Sequence, residues 1–213
     1  MIGITFIIML ILIFLSVPVA FSILGSGIVF LTVTDMKPLT LVAQRVVSGL
    51  DSFPLLAVPL FVLVGEIMDS GGISRRMVKW AESLVGWLPG GLGIVTVVSC
   101  ALFAALTGSG PATVAAIGGI MIPSLVEKGY PKESAAGLVA ASGALGPIIP
   151  PSIPMIIYGV TMNLSIPKMF IAGIIPGLVI TICLIVLNIL LSRRFPKLNT
   201  DTKMKFSLKE FLK

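Results

Sequence analysis

The chain has 213 residues, 56% hydrophobic and 11% charged, with a mean hydropathy of +1.12 and a formal net charge of +6. A soluble domain carries about 25% charged residues, so a soluble globular domain is excluded and an all-α integral membrane protein is expected. Histidine is absent, which removes histidine-based acid–base chemistry, haem ligation and histidine metal sites.

The two cysteines, Cys100 and Cys183, lie in apolar segments. They read as packing residues and form no metal-ligand cluster. The basic residues abut hydrophobic segments, so the charge reads as membrane topology and not as a nucleic-acid surface. Neither an enzyme nor a cofactor-binding protein is expected.

Residues 1–34, 83–126, 134–167 and 169–192 are uncharged. A spanning helix needs roughly 20 apolar residues, so these runs hold several crossings. Met1 to Val33 lacks a basic n-region and a small-x-small cleavage site, so it is not read as a signal peptide. As a single helix, 2–33 would be about 48 Å long. It is either one kinked helix or two short helices folded near Ser16–Pro18. Residues 38–50, with Gln44 and Arg45 among apolar residues, suit an amphipathic interfacial helix.

Phe53 to Met68 is the next crossing, closed by Glu66, Asp69 and Gly71-Gly72. Ile73 to Leu88 carries Ile73, Met77, Trp80, Leu84 and Trp87 at three- and four-residue steps, with Arg75, Arg76, Lys79 and Glu82 off that stripe. The spacing predicts an amphipathic surface helix with tryptophan at headgroup depth, ended by Pro89-Gly90-Gly91.

Two apolar segments follow, Leu92–Leu106 and Ala112–Val126, each short for a span. With the breaker between them they predict a hairpin that dips into the protein and returns. A polar loop, 127–132, leads to a half-helix over Glu133–Ala144. Its small residues allow close helix approach. A proline-rich break, a second half-helix over Met155–Met162, and a last span over Met169–Leu191 complete the apolar part. Arg193-Arg194-Phe195-Pro196-Lys197 stops that span, and Lys203–Lys213 is an amphipathic basic tail.

With a re-entrant hairpin and one crossing over 133–162, twelve of the fifteen Lys and Arg fall on one side; Lys37, Arg45 and Lys168 fall opposite. The positive-inside rule makes the crowded side cytoplasmic. Two full crossings in place of the hairpin give the same charge assignment. Segment length and the glycine-rich apex favour the hairpin.

Two stretches interrupt helices inside these apolar runs: Thr107-Gly108-Ser109-Gly110-Pro111-Ala112-Thr113 and Gly143–Pro154, the latter with prolines at 147, 150, 151 and 154. Irregular backbone at membrane depth survives only where it lines a protein-buried site. Half-helix C-termini suit Na⁺ and N-termini suit carboxylates. Each proline removes a donor and frees a carbonyl. The plain alternative is a loop outside the membrane at either place. Ser109 as a nucleophile lacks a base. Glu66 and Asp69 read as a solvated helix end before an ion site.

At these breaks the chain resembles the large membrane subunit of tripartite ATP-independent periplasmic (TRAP) transporters, the DctM family. The matching text is Gly49-Leu50-Asp51-Ser52-Phe53-Pro54-Leu55-Leu56-Ala57-Val58-Pro59-Leu60-Phe61, then TGSGPATVAAIGG over 107–119, then Gly146-Pro147-Ile148-Ile149-Pro150-Pro151-Ser152. The resemblance runs from residue 2 to about 195.

It implies a multi-pass protein of the bacterial inner membrane and an elevator-type, Na⁺-driven importer of organic acids such as C4-dicarboxylates or sialic acid. Implied partners are a small membrane subunit (DctQ-type) and a periplasmic substrate-binding protein (DctP-type). It further implies scaffold helices over 1–70, with the interfacial helix 38–50, and an arm helix over 71–90. A transport domain over 91–166 would contain the re-entrant hairpin 91–127 and the broken helix 132–163. A transmembrane helix over 167–195 and a basic cytoplasmic tail over 196–213 follow. On this basis Thr107, Ser109, Gly146, Ile149 and Pro150 supply oxygens to Na⁺, the only ion expected. Gly110, Thr113, Pro151 and Ser152 face the substrate carboxylate.

Family members are about twice this length and contain two inverted repeats, so the chain looks like the first repeat alone, with a second-half permease chain as a further partner. An odd number of crossings per repeat favours two short crossings in 2–33, five in all, and an extracytoplasmic N-terminus. Two alternatives stay open. One is a split or truncated chain acting as an assembly module without transport of its own. The other is an elevator carrier for citrate or C4 acids that works without a binding protein.

Overall fold

In a computed structural model of the protein, residues 2–34, 38–88 and 90–192 are described. Lys37, Pro89, the 193–197 stop and the basic tail lie outside the described residues. Every regular element among the described residues is helical. The chain divides between Ser52 and Phe53 into two compact units.

The first unit settles one open choice: residues 2–33 form two helices. Helix α1 spans Ile2–Phe14 and α2 spans Val19–Thr34, and they pack on each other. Ser16, with φ 63°, turns the chain between them, and Pro18 cannot extend α1. The Ser22 hydroxyl lies within hydrogen-bond distance of the Val17 and Pro18 carbonyls, at 3.2 and 3.3 Å, close to that break. Helix α3 spans Thr40–Leu50, where an amphipathic helix was expected.

In the second unit a 3₁₀ turn over Phe53–Leu56 feeds α4, Ala57–Ser70. Gly71 and the left-handed Gly72 turn the chain into α5, Ile73–Val85. Then come α6, Gly91–Thr107, and α7, Gly110–Glu127. Helices α8, Lys132–Gly143, and α9, Ile153–Thr161, flank the proline-rich break. Helix α10 runs over Ile166–Ser192.

The core of this unit joins Val95, Cys100 and Phe103 of α6 to Ile117, Met121 and Leu125 of α7. Ala135 and Val139 of α8 and Val78 and Ala81 of α5 close it. Cys100 packs there as expected. Cys183, also expected to pack, is instead exposed on α10. At the far end of α10, the buried Asn188 amide donates to the Gly90 carbonyl at 3.0 Å and ties α10 to the start of α6.

By length and composition three helical stretches suffice to cross a membrane: Phe53–Ser70, Gly110–Glu127 and Ile166–Ser192. Shorter apolar helices cover Gly3–Phe14, Val19–Thr34 and Gly91–Thr107. This corrects the expectation that both hairpin arms have about 15 residues. They have 17 and 18, because the glycine-rich text is almost wholly helical and only Gly108 and Ser109 separate α6 from α7. Helix α7 is therefore long enough to cross a membrane, and its length does not favour re-entry.

Candidate functional site

Both breaks restart their next helix with the same local chemistry. Ser109-Gly110-Pro111 opens α7 and Ser152-Ile153-Pro154 opens α9. Each serine is an extended N-cap, at φ −129°, ψ 120° and φ −125°, ψ 126°, and each hydroxyl accepts from the amide three residues on at 3.4 Å. A serine cap satisfies an otherwise orphaned amide. Proline in the first helical turn needs no amide partner.

The two breaks meet backbone to backbone. The Ile153 amide donates to the Gly108 carbonyl at 3.3 Å. A Cβ at Gly146 would press on the Gly110 amide nitrogen and lie 2.6 Å from the Ser109 carbonyl carbon. A Cβ at Gly108, which has φ 62°, would lie 2.6 Å from the Pro151 oxygen. Only glycine permits these approaches. Gly108 is thereby set against Pro151 and Ser152, and Ser109 and Gly110 are set against Gly146.

The polar atoms divide into spent and unspent. The Thr107 hydroxyl donates to Phe103 O at 3.1 Å. The buried Thr113 hydroxyl donates to Ser109 O at 2.8 Å, and the buried Ser152 hydroxyl to Pro147 O at 2.7 Å. By contrast, the carbonyls of Thr107, Gly146, Ile149, Pro150 and Pro151 accept no hydrogen bond among the described residues. Thr107 O stands at the C-terminal end of α6, where helix carbonyls carry partial negative charge. Unbonded carbonyls in an apolar setting cost several kcal/mol each unless a ligand or ion meets them.

An open groove of about 710 Å³ runs along both breaks, lined by residues that include Ser109, Pro111, Ala140, Gly143, Pro147 and Pro154. Its volume falls within the roughly 300–1,000 Å³ of small-molecule sites. Two features escaped the sequence reading. Gly173 and Gly177, four residues apart on α10, receive the break: a Cβ at Gly173 would lie 2.6 Å from Ile148 O, and one at Gly177 2.8 Å from Ile149 Cγ1. That pairing has the small-xxx-small spacing, a signal that was in the sequence. A second cavity, of about 120 Å³, lies between α4 and the α6–α7 turn, with Glu66, Asp69, Thr107 and Ser109 in its wall. Both acids are exposed and Asp69 accepts a hydrogen bond from Ser74, as a helix end does.

The family described as "Tripartite ATP-independent periplasmic transporter, DctM component" matches residues 6–213. The C4-dicarboxylate TRAP transporter large permease protein DctM of Vibrio cholerae is 42% identical over 186 residues, covering 87% of this chain and 41% of the relative. The sialic acid TRAP transporter large permease protein SiaM of the same organism is 40% identical over 204 residues, 93% of this chain and 48% of its own length. The 2,3-diketo-L-gulonate TRAP transporter large permease protein YiaN of Escherichia coli is 47% identical over 164 residues, 77% of this chain and 39% of its own. The chain thus spans somewhat under half the length of these curated relatives. By sequence, the chain belongs to the DctM family of TRAP transporter permease proteins.

Proposed function

We propose that the chain takes part in Na⁺-coupled uptake of an organic acid anion, such as a C4-dicarboxylate or sialic acid, as part of a TRAP permease in the bacterial inner membrane. The observation that carries this reading is that two helix breaks abut and that carbonyls in both accept no hydrogen bond among the described residues. A monovalent cation is a fitting partner for such oxygens, since it needs several neutral donors and no carboxylate. Oxygens of Thr107, Ser109, Gly146, Ile149 and Pro150 would hold Na⁺. Coupling would draw on about 2.3 kcal/mol per charge per 100 mV of membrane potential, plus the gradient.

Gly110, Thr113, Pro151 and Ser152 form the proposed carboxylate side. The hydroxyls of Thr113 and Ser152 are spent on backbone carbonyls, so their part is to hold the two breaks in shape. The positive ends of α7 and α9 supply the attraction. The names of the relatives give three different anions at comparable identity, which supports the organic-acid class. The proposed partners are a DctQ-type small subunit, a DctP-type binding protein and a second-half permease chain. In this reading 91–166 moves as a unit, with α5 as its arm.

Na⁺-dependent uptake by the complete transporter tests the site. Substituting Ser109 and Gly146 should abolish it, and unchanged uptake would sink the assignment. The second reading is an assembly module that transports nothing alone. Reconstitution of this chain with and without a second-half chain separates the two. Uptake that needs no periplasmic binding protein would point instead to a carrier of the citrate type.

A further inference from the structure

Helix α5 has two working faces, and the groove uses neither. Its inner face is made of small residues. Ser74, Val78 and Ala81 are buried, and Met77 and Val85 pack against the core. This seating, against α6 and α7, fixes how the helix is rolled about its axis.

At about 100° per residue, the roll turns two adjoining stripes away from the core. One is basic: Arg75, Arg76 and Lys79, all exposed. The other is apolar and aromatic: Ile73 and Trp80, which are 37% and 41% exposed, continued by Trp87, 50% exposed, in the turn that follows α5. Met77 and Leu84, expected in the same stripe, are half-buried instead. Among the described residues no carboxylate forms an ion pair with Arg75, Arg76 or Lys79. The single acid on α5, Glu82, falls between the basic stripe and the core face. Asp69 is engaged by Ser74.

The position of the helix matches this pattern. The apolar stretch Phe53–Ser70 is long enough to cross a membrane, and only Gly71 and Gly72 separate its end from Ile73. The start of α5 therefore lies at the edge of the hydrocarbon. Tryptophan favours that depth, and arginine and lysine reach from it into the headgroup layer.

We propose that the outward face of α5 binds an anionic phospholipid, its headgroup on Arg75, Arg76 and Lys79 and its upper acyl chain against Ile73, Trp80 and Trp87. Charge complementarity selects this occupant. Three cations with no ion pair among the described residues, beside an aromatic ridge, fit a negatively charged headgroup, while a zwitterionic lipid offers them no net charge. Because the inner face is keyed into α6 and α7, a lipid held here is mechanically continuous with the helices that form the first break. This surface does not depend on the Na⁺ reading.

The chain has two tryptophans, and both lie on this face. Their fluorescence therefore reads the site directly. The purified chain is reconstituted with phosphatidylglycerol or phosphatidylcholine brominated near the headgroup end of the acyl chain. Phosphatidylglycerol is expected to quench the more strongly at equal mole fraction. Each neutralised cation should reduce its relative association about fivefold, so Arg75→Gln/Arg76→Gln/Lys79→Gln should quench alike with both lipids. If that variant does not fold, the single substitutions read the same quantity one charge at a time. The charge-keeping Arg75→Lys/Arg76→Lys should retain most of the preference. Neutralising tail lysines Lys203, Lys205, Lys209 and Lys213 should leave it intact. Equal quenching in the unmodified chain overturns the proposal. So does a preference that survives the triple substitution or disappears with the tail lysines. Absence of quenching by either lipid overturns it too, and means that protein covers this face.

Discussion

The two breaks begin their second helices identically and end their first helices differently. At the first, α6 gives way to α7 within two residues, Gly108 and Ser109. At the second, the nine residues 144–152 separate α8 from α9. The short break keeps most of its carbonyls in helical or cap bonds. In the long one, with prolines at 147, 150 and 151, the carbonyls of Gly146, Ile149, Pro150 and Pro151 accept no hydrogen bond among the described residues. In the proposed site the first break would supply the end of α6 with oxygens of Thr107 and Ser109, and the second would supply the remaining carbonyls. Pro150 and Pro154 carry no amide for the Gly146 and Pro150 carbonyls four residues before them, while the Ile153 and Met155 amides, four residues after Ile149 and Pro151, bond Gly108 O and Ser152 Oγ instead.

The comparison is broken most severely at Gly146. A Gly146→Val side chain must enter the Gly110 backbone, which cannot move as a flexible side chain does. The expected loss exceeds about 3 kcal/mol, the upper end for overpacking, with separation of the two breaks. Thermal unfolding in detergent measures the first and loss of Na⁺-dependent uptake the second.

The matched serines sharpen the comparison. Ser152→Ala loses the α9 cap and strands the Pro147 carbonyl, an expected cost of about 2–3 kcal/mol. Ser109→Ala loses the equivalent cap and strands no carbonyl, so its cost should be near 1 kcal/mol. Equal losses of melting temperature would contradict the division between the breaks. The smallest effect is expected at Asn188→Leu, away from both. It removes the bond to Gly90 at about 1 kcal/mol, in the range measured for polar contacts between membrane helices. Uptake in the complete transporter should change far less than with Gly146→Val.

What the sequence made legible was local. Pro18 split the first apolar run, and the Gly/Pro clusters marked both breaks, because these residues act on their own backbone. Helix limits were less legible. The text 107–113 read as a seven-residue breaker, yet Ser109 caps α7 so promptly that Gly110, Pro111, Ala112 and Thr113 are helical. Pairings across the chain were the least legible, and only the small-xxx-small spacing of Gly173 and Gly177 gave a local signal for one of them. The Ile153–Gly108 bond, the Gly173 and Gly177 seat for the second break, and the Asn188–Gly90 tie join residues far apart in sequence. Helix α5 shows the same limit. Its aromatic stripe was the visible one, but the buried face is the smaller Ser74, Val78 and Ala81, chosen by how closely α6 and α7 approach.

The central claim is that the two breaks of this chain hold a cation between them, with every proposed oxygen drawn from this chain. Equilibrium binding of radioactive sodium to the purified chain, at constant ionic strength with choline as the balancing cation, tests it most directly. The account predicts saturable binding that Gly146→Val abolishes and that Asn188→Leu leaves in place. No saturable binding, or binding unchanged in Gly146→Val, contradicts it.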